Sequence, residues 1–374
     1  MCPTTTNLPP IPPPQIPRSS VAAPRPDRPP RPWGELPRAQ EPAAAGLVIV
    51  DKDPGVTSHD IVGAMRRLAG TRKVGHAGTL DPMATGVLCI GIGKATKLLQ
   101  YVTGTDKEYR ATIRLGVETH TEDAQGEVVA VRGLGSLREA AHLGGTAVED
   151  GAARREYRED CEREDVGRLI PMIDAAIDGL RGDIQQVPSS VSALKVDGQR
   201  AYARIRAGEA VELAARPVHI ERFERLGEPR LAVHSETPVL DIDVVVQCSA
   251  GTYIRALARD LGDALGTGAH LTALRRIRVG IWGESEARTI SQLAHEIAEG
   301  RALPTVDITS LCRGLFTCVD VSAAEADALA HGQFITGRAT ITTPAAAICY
   351  GRAVALVSNR GSKMKPDLLL VHAN

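Results

Sequence analysis

The chain has 374 residues, a formal net charge of -1 and 43% hydrophobic content, which suits a large folded domain with a smaller one beside it and argues against a strongly basic nucleic-acid binder. It holds no apolar run of about 18 residues, which excludes a membrane-spanning helix, and its N-terminus lacks the charged-then-apolar layout of a signal peptide. Its 7 cysteines are scattered without a CxxC pair, so they read as reduced cytoplasmic thiols rather than disulfides or zinc ligands.

Residues 1–44 hold more than half of the 24 prolines, with arginines between them and little apolar content. Such a segment cannot bury enough surface to offset the entropy of ordering, so a disordered Pro-rich tail is expected there. Order should begin near GLVIVDKDPGVTSHD. Residues 47–50 read as a short buried strand, and Asp53-Pro54-Gly55 as a turn. Ser58 is placed to cap a helix that carries Ile61, Met65 and Leu68 at helical spacing and ends at Gly70.

Residues 87–92 read as a strand. KEYRATIRLGV alternates: Tyr109, Ala111, Ile113 and Leu115 face one way, and Arg110, Thr112 and Arg114 the other. Residues 133–165 look like a charged insertion, after which a helix is expected over residues 166–180. Asp197-Gly198 suits a type I′ hairpin turn. Residues 240–248 read as a strand. GTYIRALARDLGDALG reads as an amphipathic helix with Tyr253, Leu257, Leu261 and Leu265 on one face, closed by Gly266. From residue 310 the chain changes to short strand-like runs around one helix, SAAEADALAHG. The expected fold class is α+β: a large, mostly antiparallel mixed sheet flanked by helices over residues 45–309, then a small, mainly β domain over residues 310–374.

Two short basic groups, Arg66-Arg67 with Arg72-Lys73, and Arg275, Arg276 and Arg278, are candidate phosphate contacts; a solvated face explains either one equally well. GIGKAT fails the phosphate-loop pattern, since Leu88 stands where its first glycine belongs and Ala95 follows the lysine. GLGSLR is not a dinucleotide fingerprint, and neither HExxH nor GxSxG occurs.

The stretch KVGHAGTLDPMATGVLCIG sets Asp81 on a glycine-rich loop and fixes it with Pro82, which disfavours helical backbone at Asp81. Gly75, Gly78 and Gly86 permit close backbone approach of a ligand. A short carboxylate on a pinned loop suits a positioned nucleophile or base; an Asx-type turn is the plain alternative. Arg255 falls in the first turn of its expected helix, where the macrodipole disfavours a cation. A carboxylate partner would resolve that conflict, and Asp81 is a candidate.

GHAGTLDPMATGVLCIGIGKATKLLQYV, flanked by DKDPGVTS and KEYRATIRLG, resembles the bacterial tRNA pseudouridine-55 synthase (TruB) family. RGDIQQVPSSVSALKVDGQRAYARIRAG and CSAGTYIRALARDLGDALGTGAHLTALRR extend the resemblance, which covers roughly residues 46–132 and 166–295. The tail and the insertion depart from the short family members, and residues 310–374 resemble the PUA-like RNA-binding appendage only loosely.

The resemblance implies the pseudouridine synthase fold and a cofactor-free, metal-free isomerisation of uridine in the tRNA T-loop by a cytoplasmic monomer that needs no guide RNA, with an accessory tRNA-folding role. Asp81 matches the catalytic aspartate, Tyr109 the tyrosine that stacks on the flipped base, and Arg255 the arginine that pairs with the aspartate. Tyr253 and Leu274 match residues that line the uridine pocket. His76 matches the residue that fills the space the flipped nucleotide leaves. Lys52 and Pro54 match a structural motif. The low aromatic content, 3%, fits recognition of folded RNA by shape with one or two stacked bases. Two other readings compete: an RNA-folding helper without catalysis, and a synthase directed by a guide RNA within a multi-protein particle.

Overall fold

The computed structural model describes residues 31–141, 153–189, 195–196, 199–200, 213–338, 341–342 and 344–370. Residues 35–374 group into one compact unit. Most of the expected tail and the Asp197-Gly198 turn lie outside the described residues. The strands Lys195–Val196 and Gln199–Arg200 that flank this turn do pair antiparallel.

A ten-stranded sheet dominates. Its main path runs Val306–Asp307, β1 (Gly46–Lys52), β3 (Thr85–Ile92), Ala269–Val279, β4 (Lys107–Leu115), Thr237–Cys248, Arg216–His234 and Gly182–Gln186. β2 (Val74–Ala77) pairs with β3, and Trp282–Gly283 with the end of Ala269–Val279. Every pairing is antiparallel except that of β3 with Ala269–Val279, so the expected mostly antiparallel mixed sheet is what forms. β4 alternates as its sequence predicts: Lys107, Tyr109, Ala111, Ile113 and Leu115 are buried, and the residues between them are not. The long strands Arg216–His234 and Ala269–Val279 were not anticipated. The first buries few of its alternate positions, and the second carries three arginines.

Several boundaries move. Residues 35–44 are not part of a free tail, since Ala39 donates a main-chain hydrogen bond to Arg67 O of the first helix, Ala43 donates one to Ala69 O at that helix's C-terminal cap, and Leu36 is buried. That helix, α1 (Ser58–Leu68), is capped by Thr57 rather than Ser58. Thr57 Oγ1 accepts from Asp60 N at 3.1 Å while Asp60 Oδ2 accepts from Thr57 N at 3.0 Å, a reciprocal cap. The helix expected from residue 166 starts at Ala153 and runs to Asp178, through the second half of the charged insertion.

A five-stranded sheet follows in the order Cys318–Asp320, Ala345–Cys349, Arg352–Arg360, Lys363–Leu369 and Ile335–Thr336, with helix Ala323–Ala330 against it. The two sheets share one apolar cluster, in which Leu47, Ile49, Val87 and Cys89 meet Ala346, Ile348 and Leu356. Leu311 and Cys312 of helix Ile308–Leu315 belong to the same cluster, so the expected boundary at residue 310 falls inside a helix that both parts bury.

Candidate active site

The loop between β2 and β3 carries Asp81, and the segment before it in sequence holds it still. Lys52, fully buried at the end of β1, donates through Nζ to Ala84 O at 2.6 Å, Pro82 O at 3.2 Å and Asp53 O at 3.0 Å. Gly55 N donates to Pro82 O at 2.8 Å. Ser58 Oγ accepts from Leu80 N at 2.9 Å and donates to Leu80 O at 3.1 Å, so this hydroxyl braces the loop and caps nothing. Three residues of DKDPGVTS thus hold the main chain on both sides of Asp81. Burial pushes the Lys52 ammonium down to about 8, against the opposing pull of Asp81 and Asp53.

The glycines serve packing within the protein. At Gly86, φ is +97° and an added Cβ would lie 2.2 Å from Arg276 O, so only glycine lets β3 approach its parallel neighbour there. A Cβ on Gly75 would meet the Leu99 side chain at 3.1 Å. The room these residues make is taken by protein atoms, not left for a ligand.

Arg255 reaches Asp81 as the broken dipole rule suggested. Its Nε donates to Asp81 Oδ2 at 2.9 Å and its Nη2 to Oδ1 at 3.4 Å. Nη1 donates to Thr121 O and Ser189 Oγ, each at 2.8 Å, and Asp123 Oδ2 lies 3.9 Å from Nε. The arginine is 4% exposed and the aspartate 35%. A guanidinium that grips both carboxylate oxygens and is itself held at Nη1 by two fixed acceptors restricts how the carboxylate can turn.

Tyr109 and Leu274 occupy neighbouring strands of the same sheet. Tyr109 is 8% exposed and lies opposite Arg276 in register; Leu274 lies opposite Ala111. Burial raises the Tyr109 phenol above its usual value, the Arg276 charge opposes this, and the Asp81 charge adds to it. Tyr253 is not on the buried face of its helix. It precedes Ile254–Ala264 with extended backbone, half-buried, and Gln186 holds it at both main-chain atoms: Tyr253 N donates to Gln186 Oε1 at 2.8 Å, and Gln186 Nε2 donates to Tyr253 O at 3.1 Å. His76, on β2, is half-buried and meets His59 edge-on, with ring centroids 6.3 Å apart. Burial, then His59 and Arg276, lower its pKa, and its buried Nδ1 has no hydrogen-bond partner.

Two surface cavities, of about 530 and 490 Å³, are not lined by Asp81; the second takes in Leu274 with Met83 and Thr85. Among the described residues no group of three His, Cys, Asp or Glu side chains is placed to hold a metal ion.

Sequence reasoning missed Ser58, Ser189 and Gln186 as parts of this framework. Their partners are 22, 66 and 67 residues away, beyond any local pattern. It also placed Arg275, Arg276 and Arg278 together as a basic surface group. Arg276 is 1% exposed, while Arg275 pairs with Asp51 and Glu284, and Arg278 with Asp106 and Glu108. These arginines are committed within the protein.

Three family models match the chain in succession. The TruB family pseudouridylate synthase N-terminal domain matches residues 66–143 and 146–254. The tRNA pseudouridylate synthase B C-terminal domain matches residues 255–306, and the tRNA pseudouridine synthase II C-terminal model residues 316–369. Curated relatives include tRNA pseudouridine synthase B of Arthrobacter sp. (strain FB24), 50% identical over 88% of this chain and 98% of the relative. The protein of the same name from Mycobacterium tuberculosis (strain H37Rv) is 47% identical over 87% of this chain and 95% of the relative. Among solved structures, a Cbf5-Nop10-Gar1 complex aligns with a TM-score of 0.58 at 20% identity, covering 91% of this chain and 92% of that one. An H/ACA RNP bound to a substrate RNA containing 2′-deoxyuridine aligns with a TM-score of 0.57 at 21% identity, covering 88% and 86%. At such identity these two establish a shared fold.

Proposed function

The chain belongs to the TruB family of pseudouridine synthases, and from that premise we propose that it isomerises a uridine in the tRNA T-loop, at position 55, to pseudouridine. The Asp81 carboxylate opens the glycosidic bond of a flipped-out uridine, either by attack on the ribose anomeric carbon or by elimination across the sugar. The freed uracil turns, carbon 5 joins the anomeric carbon, and the carbon-5 proton leaves with help from Tyr109. Atoms and electrons balance within the substrate, so the chemistry requires no redox cofactor. The enzyme works as a cytoplasmic monomer without a guide RNA, and the same contacts aid tRNA folding.

The observation that carries this reading is the Arg255–Asp81 pair. A carboxylate held by two donors at 2.9 and 3.4 Å, on a loop braced by Lys52 and Ser58, is oriented before substrate arrives. Arg255 orients it, Tyr109 receives the base, Leu274 and Tyr253 border the base, and His76, with an unsatisfied Nδ1, faces the RNA. The two aromatic rings supply the few stacking surfaces that base extrusion needs.

Asp81→Asn tests the assignment, because it preserves size and removes the charge. Pseudouridine formation should vanish while tRNA affinity stays within about tenfold, or ~1.4 kcal/mol. Sustained turnover by this variant would remove Asp81 from the chemistry.

A further inference from the structure

Arg276 is among the largest fully buried side chains of the protein. Among the described residues it forms no ion pair with a carboxylate; its guanidinium directs Nε and Nη2 at main-chain carbonyls instead. Nε donates to Val87 O at 2.7 Å, on β3, and Nη2 donates to Gly78 O at 3.1 Å, three residues before Asp81. Its backbone lies opposite Tyr109 on one side and Gly86 on the other. One side chain therefore touches both ends of the loop that bears Asp81, and it grows from the strand beside Tyr109.

Stability alone does not explain this choice. Removing a guanidinium from water costs several kcal/mol, and no carboxylate among the described residues pairs with it to offset that cost. The same strand buries the apolar side chains of Leu274 and Val279. Only a long, forked donor reaches the carbonyls of Gly78 and Val87 together. The loop backbone is shaped to admit it: Gly78 has a φ of +75°, and a Cβ there would stand 3.4 Å from Arg276 Nη1.

We propose that Arg276 is a positioning residue for the isomerisation, clamping the Asp81 loop at Gly78 and Val87 in fixed register with Tyr109. It touches no substrate. It holds the carboxylate, which comes from a loop, and the phenol, which comes from β4, at the separation that the two halves of the reaction need. The clamp complements Lys52, which holds Pro82 and Ala84 from the other side. This inference rests on the synthase reading above.

The test compares Arg276→Gln and Arg276→Lys with the wild-type protein, with Arg278→Gln as a control on the outer face of the same strand. Measured on each preparation are melting temperature, tRNA affinity, the fraction of competent protein from stoichiometric titration with tRNA, and the single-turnover rate at saturating protein, which is the rate per competent site. The expected result is a fall in rate per site of about 10²-fold for Arg276→Gln, as for other small misplacements of reacting groups, with affinity within about twofold. Arg276→Lys, which can satisfy one of the two carbonyls, should recover part of that rate, and Arg278→Gln should match the wild type. A merely structural arginine would lower melting temperature and the competent fraction while leaving the rate per site unchanged, and that result overturns the proposal. If Arg276→Gln does not fold, Arg276→Lys decides by the same criterion. Failure of the wild type to form any pseudouridine would instead sink the synthase reading itself.

Discussion

Arg275, Arg276 and Arg278 share one strand but stand in two environments. On the outer face Arg275 pairs with Asp51 at 2.9 Å, Arg278 with Asp106 at 2.7 Å, and on the adjacent β4 Arg114 with Asp241 at 2.7 Å. Those cations meet carboxylates at a partly solvated surface, where each pair contributes little and salt weakens it. On the inner face Arg276 and Lys52 meet main-chain carbonyls away from water. An outer pair fixes side chains. An inner cation fixes the course of the backbone, and here that backbone is the loop of Asp81. The difference teaches that the placement of a charge, more than its type, separates surface solvation from the framework of the Asp81 loop.

That contrast can be broken first at Arg255. Arg255→Gln removes the charge and both donors from Asp81, and turnover should fall by about 10³-fold, the scale of losing a preorganised electrostatic contact. Single-turnover rates at saturating tRNA measure it; a loss below tenfold would mean that the loop alone orients Asp81. Next comes Tyr109. Tyr109→Phe keeps the ring and should slow turnover by about 10²-fold, as expected for a proton-transfer group, with melting temperature and affinity little changed. An unaltered rate would return Tyr109 to the core.

A smaller effect should appear with pH. Lys52 is cationic in the folded protein below about 8 and loses its proton as pH rises through that value. The neutral amine has two N–H donors for three carbonyls, so the single-turnover rate should decline several-fold between pH 7 and 9 (about one unit either side of that value). Stability moves the other way. The folded pKa lies below the ordinary 10.5, so burying the ammonium costs stability in full below about 8, and that cost shrinks as pH rises toward 10.5. A rate decline matched by thermal destabilisation over the same range would contradict this assignment. The smallest effect belongs to the outer face: Arg114→Gln should cost about 1 kcal/mol or less in chemical denaturation and leave the rate untouched. A large rate loss there would erase the distinction between the faces.

The sequence made β1, β3, β4 and helix Ile254–Ala264 legible because each carries its own period or cap. The Arg255–Asp81 pair was legible for a different reason, a cation at the wrong end of a helix. What stayed hidden was non-local. Nothing near Ser58 says that its hydroxyl serves Leu80 rather than Asp60, because a helix start invites the local reading. Arg276 was hidden by its own chemistry, since arginines in a row suggest a wet surface. One signal was present: Leu274 and Arg276 are two apart on a strand and so share a face, and Leu274 is a core residue. The strand Arg216–His234 was hidden because its alternate residues stay exposed.

The central claim is that this chain alone isomerises one T-loop uridine in tRNA. The direct measurement is a nucleotide-resolution map of pseudouridine in unmodified tRNA after incubation with the purified protein, without guide RNA or other proteins. The account predicts near-complete conversion at position 55, absent from a parallel reaction with Asp81→Asn. An unmodified position 55, with conversion appearing only when a guide RNA or partner protein is added, would contradict it.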